Sequence, residues 1–136
     1  EIEGASVKTT DDKVEITLPN RVLFPSGQAS ISQEGRQSLT QVASALEDYT
    51  DRPIRVEGHT DTVPISTDRF PSNWELSAAR ATNVVKYLVD QHGFNPDRIG
   101  AVARGEHQPR VPNTSPENRQ QNRRVEIIIL PPESTE

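Results

Sequence analysis

Residues 58–84 read GHTDTVPISTDRFPSNWELSAARATNV and carry the chain from a strand, through a loop, into a helix. The segment just before them, IRVE at 54–57, alternates apolar and polar residues, which predicts a strand ending at Gly58. The polar loop that follows contains two prolines, and a loop of this length in a small domain is typically functional. Ser72 and Glu75 have the spacing of a capping box, which predicts a helix start.

Two amphipathic helices are predicted on either side of that strand. The later one should end near Gly93, and its inward stripe consists of Ala78, Ala81, Val84, Val85 and Leu88. The earlier one covers residues 32–49, with Ser30 or Ser32 as its cap and with apolar residues at three-to-four spacing at Leu39, Val42, Ala43, Leu46 and Tyr49.

Alternation or apolar runs predict the strands, at residues 13–18, 54–57, 98–103 and 125–130. The last of these is almost continuously apolar, which is typical of a central strand buried on both faces. Val22 to Phe24 is interpreted as a short strand or edge segment, and Ser115-Pro116-Glu117 as the start of one short helical turn.

This order of elements predicts an α/β fold of the α+β two-layer sandwich type, with a mixed four-stranded sheet and two main helices packed on one face. Residues 1–12 are predicted to be a linker, 13–130 the domain and 131–136 a tail.

Composition excludes several classes of function. A net charge of −5 in 136 residues offers no basic field for a nucleic acid, and the absence of cysteine excludes disulfides and thiolate metal sites. No apolar run reaches the roughly 20 residues of a membrane span, so any membrane or export segment is expected outside this sequence.

Three motifs carry a family resemblance: Thr60-Asp61, then N-x-x-L-S-x-x-R-A-x-x-V at 73–84, and NRRVE at 122–126. Together they resemble the OmpA-like peptidoglycan-binding domain, over residues 13–130. The long connection at 63–71 and the phrase SNWELS at 72–77 resemble the MotB class of flagellar stator proteins.

The resemblance implies a periplasmic, non-catalytic domain that grips the diaminopimelate of the wall peptide and anchors a membrane complex. Diaminopimelate carries an ammonium beside a carboxylate, and one Asp with one Arg can clasp that zwitterion. The family's clasp falls on Asp61, as the acceptor for the ammonium, and on Arg80, whose planar fork suits the carboxylate. An attachment to the inner membrane, a MotA-type partner and a homodimer are implied in the same way.

Five further residues are expected around the ligand, and they are Thr60, Asn73, Leu76, Arg123 and Arg124. Gly58 is expected to let the loop backbone approach the ligand, because it has no side chain. Two structural alternatives stay open. Asp61 and Arg80 could form a plain ion pair, and the two adjacent arginines could brace the last strand instead of holding the peptide.

Neither a metal nor an organic cofactor is predicted. His59, His92 and His107 have no spacing that assembles a three-ligand site. Catalysis has no support in a cysteine nucleophile, a G-x-S-x-G elbow or a glutamate pair at recognisable spacing. The alternatives that stay open are the anchor of a lipoprotein, porin or secretion system, a wall hydrolase, and a dimerisation domain without ligand.

Overall fold

The computed structural model describes residues 5–49 and 52–132. Its strands are β1 (Ser6–Thr10), β2 (Lys13–Pro19), β3 (Ile54–His59), β4 (Ile99–Gly105) and β5 (Arg124–Ile129). Its helices are α1 (Asn20–Leu23), α2 (Gln33–Ala45), α3 (Asn73–His92) and α4 (Pro116–Asn122), and a 3-10 turn at Leu46–Tyr49 extends α2. None of these helices combines the length and apolar character needed to cross a bilayer.

The strands form one mixed sheet in the order β1-β2-β5-β3-β4. Strands β3 and β4 are parallel and the other neighbours are antiparallel. The predicted central strand is therefore confirmed, because β5 lies between β2 and β3 with both faces largely covered. Side chains of β2 alternate as predicted, with Val14, Ile16 and Leu18 buried.

Helices α2 and α3 cover one face of this sheet and close a single aliphatic core. Fully buried members of that core come from both layers and include Leu18, Leu39, Val42, Val56, Val84, Leu88, Val125, Ile127 and Ile129. The start of α3 is the predicted capping box, since Ser72 Oγ accepts the Trp74 N–H and its hydroxyl donates to the Glu75 carboxylate. The helix ends at Gly93, whose φ of 72° is left-handed.

The sheet has five strands, and the prediction of four was wrong. Strand β1 lies within residues 1–12, the predicted linker, and all five of its residues are exposed, so no burial pattern marked it. It is held by pairing with β2 through a tight turn. Asp11 and Asp12 both adopt positive φ, of 50° and 66°, as a two-residue hairpin requires.

The short strand predicted at Val22 to Phe24 is also wrong. Helix α1 occupies residues 20–23, because the chain leaves the sheet after Pro19 and Asn20 donates its N–H to the Arg123 carbonyl at 3.0 Å. The three apolar side chains at 22–24 are buried in either geometry, and so short an apolar run does not distinguish a strand from a helical turn.

Gly58 serves packing between the layers, and its predicted role in ligand approach remains a prediction. A Cβ placed on Gly58 would lie 2.3 Å from the carbonyl oxygen of Ser77 in α3. The missing side chain therefore lets α3 approach β3, which positions the helix that carries Asn73 and Arg80.

Candidate functional site

A cleft of about 600 Å³ opens between the loop after β3, the start of α3 and the segment after α1. The residues around it are Asn20, Arg21, Phe24, Pro25, Ser26, Gly27, Thr60, Asp61, Val63, Pro64, Ile65, Asn73, Leu76, Arg80 and Arg123. Six of the seven residues predicted to bind the ligand are therefore brought together, although 63 positions separate Thr60 from Arg123 in the sequence.

Asp61 follows the end of β3 and is buried in the cleft wall. One carboxylate oxygen accepts the Val63 N–H at 3.0 Å, and the other accepts from Arg123 Nη1 at 2.5 Å. A carboxylate has about four lone-pair sites, so these two contacts leave acceptor capacity for an ammonium. The ion pair joins Asp61 to Arg123, which excludes the alternative of a plain Asp61–Arg80 ion pair.

Arg80 is a buried cation, with only 6% of its surface exposed. Its Nε donates to the Gln28 carbonyl at 2.8 Å, and its guanidinium lies 4.8 Å from the centroid of the Phe24 ring. Within residues 5–49 and 52–132, no carboxylate pairs with Arg80 and no acceptor meets its two terminal NH₂ groups. Burial, together with the positive charge of Arg123, lowers the pKa of Arg80 to about 10, so it stays charged at neutral pH.

Asn73 and Leu76 shape the cleft from the first turn of α3. The Asn73 amide nitrogen lies within hydrogen-bond distance of the carbonyls of Asp61 and Val63, at 3.3 and 3.1 Å, so it holds the loop closed. Leu76 packs with Ala29 and Phe70 in a small second core beneath the loop. Thr60 donates its hydroxyl to the Asp61 carbonyl, and its own N–H reaches the Gly105 carbonyl at 2.8 Å.

The two adjacent arginines occupy different places. Arg123 lines the cleft, where it contacts Asp61. Arg124 lies outside the cleft and is buried, with its Nε on Glu126 at 2.6 Å and its terminal nitrogens on two backbone carbonyls, those of Asn122 and Gln108. Their backbone positions differ, because Arg123 is the C-cap residue of α4 and Arg124 is the first residue of β5.

Asn20 also lines the cleft, although the sequence analysis did not assign it to the site. Its amide nitrogen donates to the His59 carbonyl at 3.1 Å, whereas its Oδ1 is buried without a hydrogen-bond partner among the described residues. A buried acceptor without a donor is unfavourable, and a ligand N–H would satisfy it. No sequence signal pointed to this residue, because its environment comes from β3 and the start of β5.

Within the part of the chain that the structure describes, one cluster of acidic and imidazole groups is compact enough to hold a metal, and its members are Glu57, His59 and Glu126. Each carboxylate already has cationic partners. Glu57 accepts from Arg55 Nε at 2.7 Å and from Arg104 Nη2 at 3.0 Å, and Glu126 accepts from Arg124. Both carboxylates of this cluster are therefore paired with arginines, on the face of the sheet opposite the core.

Glu57 makes the free energy of unfolding depend on pH in the acidic range. Burial would raise the pKa of Glu57, but hydrogen bonds from His59 and Arg104 and the charges of Arg104 and Arg55 outweigh it and lower the pKa from 4.5 to about 2. A depressed pKa stabilises the fold above pH 4.5, and this contribution is lost as pH falls toward 2. The shift sets an upper limit of about 3 kcal/mol on this contribution, because solvent screens the partly exposed arginines that cause it.

We therefore expect Glu57→Gln to lower the free energy of unfolding at pH 7 by up to about 3 kcal/mol and to flatten its pH dependence between 4.5 and 2. Urea unfolding at a series of pH values measures both. Glu34→Gln, at an exposed position of α2, is the matched control. Equal slopes for the parent and Glu57→Gln would contradict the assignment.

Comparison of the sequence with known proteins identifies a family and several relatives. Residues 23–123 match the OmpA family. The chain is 36% identical to Motility protein B of Bacillus subtilis over 124 residues, which is 91% of this chain and 48% of that protein. The chain thus spans about half the length of the curated relatives it matches.

Two solved structures share the fold over most of their length. The cell wall anchor of the T6SS from Pseudomonas aeruginosa is 36% identical with a TM-score of 0.88, covering 95% of this chain and 89% of that one. The periplasmic domain of Helicobacter pylori MotB (residues 78-256) is 34% identical with a TM-score of 0.83, covering 93% and 82%. On the family match, the shared motifs and the common fold, this chain belongs to the OmpA family.

Proposed function

We propose that this chain binds peptidoglycan without cleaving it, by clasping the zwitterion of a diaminopimelate residue between Asp61 and Arg80. The observation that carries the proposal is the buried guanidinium of Arg80, whose fork has no protein acceptor among the described residues and which shares a cleft with Asp61. Burying a cation is unfavourable unless an anion pairs with it. A carboxylate suits this role because it can accept two parallel hydrogen bonds from the planar guanidinium. Thr60, Asn73, Leu76 and Arg123 shape the pocket.

The cleft suits binding more than hydrolysis. Of the described residues that line it, Asp61 is the single carboxylate, and there is no histidine among them. Glycoside hydrolysis ordinarily requires two carboxylates, and nucleophilic cleavage requires a base beside the nucleophile. Incubation of the chain with sacculi should therefore release no soluble muropeptides.

The proposed role is to fix a membrane complex to the cell wall from the periplasm. Similarity to Motility protein B favours a flagellar stator, attached to the inner membrane through a segment outside this sequence and working with a MotA-type subunit, as a homodimer. Similarity to the T6SS cell wall anchor favours a secretion system as the second candidate. Co-purification of the full-length protein with its membrane partner distinguishes the two.

Asp61→Asn tests the ammonium half of the clasp. We expect it to weaken binding to diaminopimelate-type sacculi by roughly ten- to a hundredfold, because the ligand ammonium then faces a neutral amide in a desolvated site. Co-sedimentation with purified sacculi measures the binding.

The control for this variant is Asp68→Asn, which makes the same change at an exposed position of the same loop. Thermal unfolding of both variants shows whether the fold survives the loss of the Arg123 ion pair. Binding by Asp61→Asn equal to that of Asp68→Asn would remove Asp61 from the site. Absence of binding by the parent would overturn the proposed function.

A further inference from the structure

A second groove, of about 210 Å³, adjoins the cleft. It lies between the ends of β2 and β5, helix α4 and the loop before that helix, and Arg21 and Arg123 line both cavities. The two cavities therefore share a wall, and a ligand that leaves the cleft on the Arg123 side meets the groove next.

The groove carries positive charge that the protein does not neutralise. Four arginines, at positions 21, 110, 123 and 124, line it against one carboxylate, Glu117. Arg123 and Arg124 have carboxylate partners, in Asp61 and Glu126. Arg21 and Arg110 form no ion pair with any carboxylate in the described ranges, although the whole chain has a net charge of −5.

Arg21 and Arg110 both belong to backbone segments that hydrogen bonds hold in place. The Arg110 N–H donates to the Asn122 side-chain oxygen at 2.8 Å, and Asn122 is fully buried. Arg124 Nη2 donates to the Gln108 carbonyl at 3.0 Å, two residues before Arg110. Arg21 follows Asn20, whose side chain and backbone N–H are bound to β3 and to Arg123. Such anchoring lowers the entropy lost when an anion orders the guanidinium groups.

We propose that Arg21 and Arg110 bind a second carboxylate of the same wall peptide whose diaminopimelate occupies the cleft. The inference rests on the proposed function. This second carboxylate is the free α-carboxylate of the γ-linked glutamate that precedes diaminopimelate, because that group is the neighbouring anion along the peptide. Guanidinium groups recognise carboxylates through paired hydrogen bonds. Arg124 acts here as a positioning residue, since it holds the loop that carries Arg110.

The test uses two synthetic tripeptides, L-alanyl-γ-D-glutamyl-meso-diaminopimelate with the glutamate α-carboxylate either free or amidated. Isothermal titration of the parent should show the free form binding roughly three- to tenfold more tightly, as expected for partly exposed charge pairs. The double variant Arg21→Gln/Arg110→Gln should bind both forms equally. Arg36→Gln/Arg69→Gln, changed at exposed positions outside the groove, is the matched control.

The outcomes separate this inference from the proposed function. Equal binding of both tripeptides by the parent would overturn the second subsite and leave the clasp intact. A preference for the free over the amidated tripeptide that persists in the double variant would also overturn the second subsite and leave the clasp intact. Binding of neither tripeptide, together with no binding to sacculi, would overturn the clasp itself. If the double variant lost affinity only for sacculi that carry phosphate-rich polymers, the groove would belong to a polymer phosphate and the carboxylate assignment would fail.

Discussion

Arg80→Met should abolish detectable binding to diaminopimelate-type sacculi and leave the fold intact. The variant keeps an unbranched apolar stem but removes the charged guanidinium that lies over Phe24. Truncating a desolvated partner of a charge pair typically costs about 2–5 kcal/mol. This corresponds to roughly thirty- to several-thousandfold weaker binding. The free energy of unfolding should change by less than about 1 kcal/mol, because losing the hydrogen bond to Gln28 is offset by removing a buried, unpaired cation.

Arg36→Met supplies the matched control for this variant, since Arg36 is exposed on α2. Walls that carry lysine in place of diaminopimelate provide a second readout, because lysine has the ammonium without the adjacent carboxylate. The parent should prefer diaminopimelate-type sacculi, and Arg80→Met should lose that preference. A large fall in stability with unchanged binding would show instead that Arg80 is structural.

Gly58→Ala should destabilise the protein by about 3 kcal/mol or more. The added methyl would lie 2.3 Å from the Ser77 carbonyl oxygen, so α3 must move away from β3, and overpacking of this kind is typically unfavourable by 1–3 kcal/mol or more. Thermal unfolding should show a midpoint lower by roughly 10 °C. Binding to sacculi should weaken too, because α3 carries Arg80.

Gly100→Ala is the control for that substitution, because Gly100 lies on β4 and a Cβ placed there meets nothing within 4 Å. We expect this variant to be as stable as the parent or slightly more stable. If both alanine variants unfolded at the same midpoint, the close approach of α3 to β3 would not be the reason for glycine at position 58.

Local patterns predicted most of the elements correctly. The alternation of β2, the capping box at Ser72 and the glycine at the end of α3 each act within a few residues, so they are visible in the sequence. The errors arose where burial was uninformative. The five residues of β1 are all exposed, and the apolar group at 22–24 is buried in a helical turn as it would be in a strand. The paired aspartates at 11 and 12 were the available signal for the hairpin.

Predictions about the site depended on the motif more than on physical pattern. Thr60, Asp61, Asn73, Leu76, Arg80 and Arg123 were named from the family resemblance, and all six line one cleft. Their roles in binding remain predictions. The same resemblance could not separate Arg123 from Arg124, and it did not include Asn20 or Arg21, which lie in α1. The proposed division of the chain at residues 12 and 130 likewise remains a prediction.

By itself, the sequence determined the layer architecture, the central place of β5 and the two helices, because periodicity and caps report each segment's own burial and ends. Only the tertiary structure decided that Asp61 pairs with Arg123, that Arg80 is buried without a carboxylate among the described residues, and that Gly58 packs against α3. These three facts join residues from different elements. Contact across such distances depends on how the layers pack, and no local pattern encodes it.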